Sequence, residues 1–150
     1  MRRGLIIGAT VLTLAAGCGD QPGTGELGSI GTGHDEAGLR EAVRAYLDAW
    51  SAGNTEIICG LLDSRTATEF AAKVRAADCP AAVHVLYDRM SDQVRSSFRD
   101  VQLTEVKVRG ENADHGDVEV SAKVAPFGND TTTSWTYRQG RWQVRERPHE

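Results

Sequence analysis

Side chains able to do chemistry are few and scattered along these 150 residues. Four histidines, His34, His84, His115 and His149, stand far apart. No pair of them has metal-ligand spacing, and no His-Glu-x-x-His occurs. There is no Gly-x-Ser-x-Gly elbow for a serine nucleophile and no glycine-rich phosphate loop. The acidic turn Glu111 to Asp117 lacks the ligand order of an EF-hand and reads as a solvated hairpin turn. His84 falls one residue off an apolar helical stripe, the position of a partly exposed histidine or of a base at a cavity rim. Tyr46, Tyr87 and Tyr137 are interleaved with apolar stripes. Each reads either as a hydrogen-bond donor to a ligand or as a core tyrosine with a satisfied hydroxyl. Three thiols remain, Cys18, Cys59 and Cys79, and they carry most of what the sequence says about function.

Cys18 closes the run Leu14-Ala15-Ala16-Gly17-Cys18. Before it lie a positive start, Arg2 and Arg3, and an uncharged stretch, Gly4 to Ala16, with Leu5, Ile6, Ile7, Val11, Leu12 and Leu14. A secretory signal needs that order: charge, apolar middle, small residues at the cut. The stretch is shorter than the ~20 residues a permanent membrane helix requires. The arrangement resembles a bacterial lipoprotein signal with its lipobox. The resemblance implies removal of residues 1–17, lipid on the Cys18 sulfur, and a mature protein held on the extracytoplasmic face of the cell membrane. One acyl chain binds marginally and stable anchoring needs more than one, which such lipoproteins carry. The Arg-Arg-Gly-Leu-Ile start loosely matches a twin-arginine signal but lacks the usual residues before the pair, which favours the general secretory route.

With Cys18 assigned to lipid, Cys59 and Cys79 form an even pair outside the reducing cytosol. A disulfide is then the expectation; a metal pair or two free thiols are the alternatives, and no His or Cys sits at ligand spacing nearby. Removing residues 1–17 moves the net charge from −4 to −6, because Arg2 and Arg3 leave. An acidic chain argues against nucleic acid, whose phosphates demand a basic face. It argues equally against an electrostatic grip on anionic lipid. Arginine far outnumbers lysine, and Ala and Gly are abundant, which suggests a GC-rich genome such as an actinobacterium's. No cofactor is implied.

These residues are positioned by one domain plus a tether. Gly19 to His34 holds six glycines and almost no apolar period; residues 18–34 read as a lipidated, flexible tether with an r.m.s. span of roughly 20–24 Å. A first helix starts at the N-cap Asp35 and ends before Gly53, with Leu39, Val43, Tyr46, Leu47 and Trp50 on one stripe. A second follows an Asn54 cap and carries Ile57, Ile58, Leu61 and Leu62. Thr66-Ala67-Thr68-Glu69 fits a capping box opening a third. Pro80 suits the first turn of a fourth, with Val83, Leu86, Tyr87, Met90 and Val94 inward. The disulfide would join the second helix to the start of the fourth. After Phe98 the apolar period becomes 2. Val101 and Leu103 share one parity and Val106 and Val108 the other, so a bulge near Thr104 is expected. Val118, Val120, Ala122 and Val124 alternate next, then Thr133, Trp135 and Tyr137, then Trp142 and Val144. Turns fall at Gly110–Gly116, Pro126–Asp130 and Gln139-Gly140. Helices first and strands second predict an α+β fold, N-terminal helices packed on a curved antiparallel sheet of about four strands. Arg138, Arg141, Arg145 and Arg147 cluster in the last hairpin, either a solvated outer face of the sheet or a docking patch for an acidic partner.

The segment Val43-Arg44-Ala45-Tyr46-Leu47-Asp48-Ala49-Trp50-Ser51-Ala52-Gly53, with the closing strand Gly140-Arg141-Trp142-Gln143-Val144, resembles the NTF2-like (nuclear transport factor 2-like) superfamily over residues 35–147. Within it the chain is similar to small actinobacterial lipoproteins with a cysteine pair in the helical part. The resemblance implies an NTF2-like domain over 35–150 whose sheet wraps the first helix into a cone. Tyr46, Trp50, Tyr87, Trp135, Tyr137 and Trp142 become candidates to line the cone's cavity. Enzymes of this superfamily, such as polyketide cyclases and ketosteroid isomerases, place Asp, His or Tyr there. Here the inward sheet positions hold no carboxylate and no histidine, so the expectation is a non-catalytic domain that binds a small apolar ligand or an envelope protein. The alternatives are a cyclase- or isomerase-like enzyme using Tyr87 or His84, and a homodimer packed through the sheet's outer face.

Overall fold

The computed structural model describes residues 24–122 and 131–145. The expected signal peptide 1–17, Cys18, the first part of the glycine-rich stretch, Val124, the Pro126–Asp130 turn, Arg147 and His149 lie outside the described residues. Those described form six helices: α1 (Thr24–Ser29), α2 (Glu36–Ala52), α3 (Thr55–Gly60), α4 (Ser64–Val74), α5 (Cys79–Arg89) and α6 (Asp92–Asp100). Four strands follow: β1 (Leu103–Arg109), β2 (His115–Val120), β3 (Thr132–Arg138) and β4 (Arg141–Arg145). They make one antiparallel sheet in the order β1-β2-β3-β4. The fold is α+β, with helices packed on the sheet, as the change of apolar period predicts.

Helix α2 is the spine. The Asp35 carboxylate accepts from the Gly38 N–H at 2.8 Å and starts it. Gly53 ends it in the left-handed region, φ 71°, its N–H returned to the Ala49 carbonyl. A side chain at Gly53 would also meet Tyr87, whose Cζ lies 2.8 Å from where a Cβ would stand. Between these caps Leu39, Val43, Tyr46, Leu47 and Trp50 are all buried. They meet Val106, Val118, Val120, Trp135, Trp142 and Val144 from the sheet in one core. Arg44, on the flank of α2, donates to the carbonyls of Phe98 and Val101, both at 2.9 Å. Its guanidinium fork thereby caps the end of α6 and fixes the crossing into β1.

Two helix starts differ from expectation. The capping box at Thr66 does not form: Asp63 caps α4, accepting from the Thr66 N–H at 2.7 Å. A carboxylate three residues upstream offers the stronger charge-assisted cap. Glu69 instead pairs with Arg65. The fourth expected helix does not run on through Val94. It ends at Arg89, Ser91 caps a new helix, α6, and Val94 is exposed. The β1 irregularity expected near Thr104 is present: the register shifts between Leu103 and Glu105.

Part of the segment expected to be a tether is instead a strap fixed to the domain. After α1, Ile30 and Gly31 are buried. Gly31 accepts from the Trp142 N–H at 2.9 Å. Leu27 accepts from Arg141, Thr32 from the Tyr137 hydroxyl, and Gly33 from the Trp142 indole, at 2.8, 2.7 and 2.8 Å. The strap lacks an apolar period because its carbonyls are satisfied by side chains over 100 residues later, a partnership no local pattern reveals. Gly38 makes the crossing fit, since a Cβ there would collide with the Gly33 carbonyl. On the same edge of the sheet, Val144 bonds to Leu61 and Asp63 through its N–H and C=O. The strap and this bridge together cover the backbone groups that β4, an edge strand, would leave open.

Candidate functional site

Of the six residues expected to line a cavity, four are core. Tyr46, Trp50, Trp135 and Trp142 are at most 2 % exposed. Tyr46 stands edge-on to Trp50 at 6.3 Å and to Trp135 at 5.9 Å, and Trp50 edge-on to Phe70 at 6.2 Å. This is the preferred geometry of aromatic pairs, worth roughly 0.5–1.5 kcal/mol each beyond area burial. Trp135 Nε1 donates to the Thr133 hydroxyl at 2.9 Å.

Tyr87 and Tyr137 are half-buried and serve the fold through their hydroxyls. Tyr87 donates to the Ser51 carbonyl at 3.3 Å, while the Arg95 guanidinium lies 4.1 Å from its ring centre. Tyr137 holds the strap at Thr32 and stacks on His34 with ring centres 3.9 Å apart. His84 and His115 are exposed. In the acidic turn, Asp117 pairs with Arg109 at 2.8 Å, and among the described residues no group of three His, Cys, Asp or Glu gathers for a metal. Cys59, near the end of α3, and Cys79, the first residue of α5, are joined as a disulfide with Cα atoms 5.9 Å apart.

Tyr46 is the buried titratable group of this core. Burial raises its hydroxyl pKa well above the ordinary 10.0, with the Trp50 side chain acting in the opposite, smaller sense. The sign for stability follows directly. Below pH 10 both states carry the phenol and nothing is lost. Above it the unfolded chain ionises while the native one stays protonated, so stability falls as pH rises. Between pH 10 and 11 the wild type is expected to lose about 1 kcal/mol that Tyr46→Phe does not lose. Urea unfolding of both proteins at the two pH values measures this, and parallel curves would refute it.

A groove of about 350 Å³ opens elsewhere, between the strap, α2 and α3. Ile30, Ala45, Ala49, Ala52 and Ile57 give it apolar walls; Ser29, Asp48 and Asn54 are its polar residues. Asn54 is committed to the N-cap of α3, and Asp48 lies 3.4 Å from Arg44. The alanines recur at i, i+4 and i+7 along α2, which leaves one flank of that helix low enough for the groove to exist. Such a lining offers apolar contact and one carboxylate, itself beside Arg44. None of the six candidate residues takes part. The groove was legible only as that line of alanines, which means nothing until the strap forms the opposite wall. No protein-family model matches the chain, and no curated protein or solved structure does.

Proposed function

We propose that this protein is a lipoprotein anchored through Cys18 to the extracytoplasmic face of the cell membrane, and that its NTF2-like domain binds a small apolar ligand rather than catalysing a reaction. The observation that carries the anchor is the run Leu14 to Cys18 behind an apolar stretch too short to span a bilayer. The Cys59–Cys79 bridge agrees with an oxidising compartment. What supports binding over catalysis is where polarity sits. The aromatic side chains meet one another, the half-buried tyrosine hydroxyls hold backbone carbonyls, and the apolar groove brings a single carboxylate.

Each half of the reading has its test. Cys18→Ser is expected to move the protein from the membrane to the soluble fraction; retention in membranes would contradict the anchor. The neutral dye nile red is expected to bind the full chain with a fluorescence gain that Ala45→Trp, which fills the groove, abolishes without lowering the denaturation midpoint. Unchanged dye binding in that variant would contradict the groove.

A further inference from the structure

We propose that the outer face of the β3–β4 hairpin is the side of this domain that lies against the bilayer, with Arg138, Arg141 and Arg145 contacting anionic lipid headgroups; the inference rests on the reading of Cys18 as the anchor. The strap is its first support. A free tether from Cys18 to His34 would let the domain turn any face to the membrane. The strap is instead held at Leu27, Gly31, Thr32 and Gly33 by Arg141, Trp142 and Tyr137. Those donors flank the tight Gln139-Gly140 turn of the hairpin. Only five residues separate Cys18 from the start of α1, a reach of at most about 20 Å when fully extended. The anchor therefore draws the β4 edge and its turn toward the headgroups.

Charge is the second support. The hairpin from Thr132 to Arg145 contains three arginines and no Asp or Glu. Trp135, Trp142 and Val144 point into the core, so Arg138, Arg141 and Arg145 share the opposite face with Ser134, Thr136 and Gln143. Arg138 and Arg145 are exposed and make no ion pair among the described residues. On the neighbouring strands Asp117 is taken by Arg109 and Glu105 by Lys107, while the exposed Glu119 lies at the Thr132 end of the hairpin, away from its arginine-bearing turn. The net negative charge of the chain does not cancel this face, because fields in physiological salt decay over about 8 Å. Each arginine brought to an anionic surface adds roughly fivefold in affinity.

The experiment uses the full lipidated protein in phosphatidylcholine vesicles with or without phosphatidylglycerol, carrying a quencher on the headgroups. A fluorophore sits at Gln143 on β4 or, for comparison, at Gln93 on α6. Quenching at Gln143 is expected to exceed that at Gln93 severalfold in the anionic vesicles. The difference should vanish in high salt and in the pair Arg138→Gln and Arg145→Gln, which breaks no side-chain bond among the described residues. Equal quenching at the two positions, or a difference that survives both treatments, would overturn the proposal. Failure of the anchor shows separately, as Cys18→Ser chain that still remains with vesicles of phosphatidylcholine alone, to which the arginines have no headgroup charge to bind. Should that occur, protein added to preformed vesicles keeps the question open to decision. A preference for the anionic ones that falls about 25-fold in the double variant supports the face, and no preference overturns it.

Discussion

Trp142→Ala is expected to lower the unfolding free energy by about 3–5 kcal/mol, the range for truncating a fully buried tryptophan. Trp142 is fully buried and belongs to β4, the strand that meets both the core and the strap. Its ring edge packs on Tyr137 with centres 5.4 Å apart, and its indole N–H holds the Gly33 carbonyl. Truncation opens a cavity and leaves that carbonyl without its partner. Trp142→Phe separates the two losses: most of the ring stays, and the missing hydrogen bond costs about 1 kcal/mol. Urea unfolding of the full chain measures both variants. A loss below about 1 kcal/mol for the alanine variant would mean that neither the core nor the strap depends on this residue.

The second large effect belongs to the disulfide. Cys59 and Cys79 lie 20 residues apart in sequence and enclose α4 between α3 and α5. Closing a loop of that length removes chain entropy from the unfolded state worth about 3 kcal/mol. The bridge matters here because α3 is only six residues long and too short to be stable by itself. Changing both cysteines to serine is expected to cost about 3 kcal/mol, read as a lower denaturation midpoint. A reductant should bring the wild type close to the variant and leave the variant unmoved. Wild-type unfolding indifferent to reductant would mean that the bridge does not stabilise the fold.

The α2 stripe from Leu39 to Trp50, its caps Asp35 and Gly53, the Asn54 cap, the bulge at Thr104 and the meander were legible in the sequence because each is a local signal. Period, cap chemistry and parity act within a few residues. The break at Ser91 was legible in principle, as a Ser-Asp pair ahead of a short helix, but the apolar spacing of Met90 and Val94 masked it. The strap was not legible. Its sequence is glycine-rich and polar, and what orders it are Tyr137, Arg141 and Trp142, more than 100 residues away. For the same reason the groove was missed and the aromatic residues were assigned to a cavity wall. An aromatic stripe looks alike from the sequence whether it faces a ligand or another aromatic ring. Only the edge-on pairs around Tyr46 distinguish the two for Trp50 and Trp135.

In the function proposed above, an anchor at Cys18 would set what the rest of the molecule is for: which compartment closes the disulfide, how short a leash the strap leaves, and which face the sheet turns to the membrane. The most direct test is the mass of the mature N-terminal peptide from protein extracted out of membranes with detergent. The expected result is a chain that begins at Cys18 and carries acyl-glyceryl mass on its sulfur. A mature chain beginning at any other residue, or one beginning at Cys18 with an unmodified thiol, would contradict it.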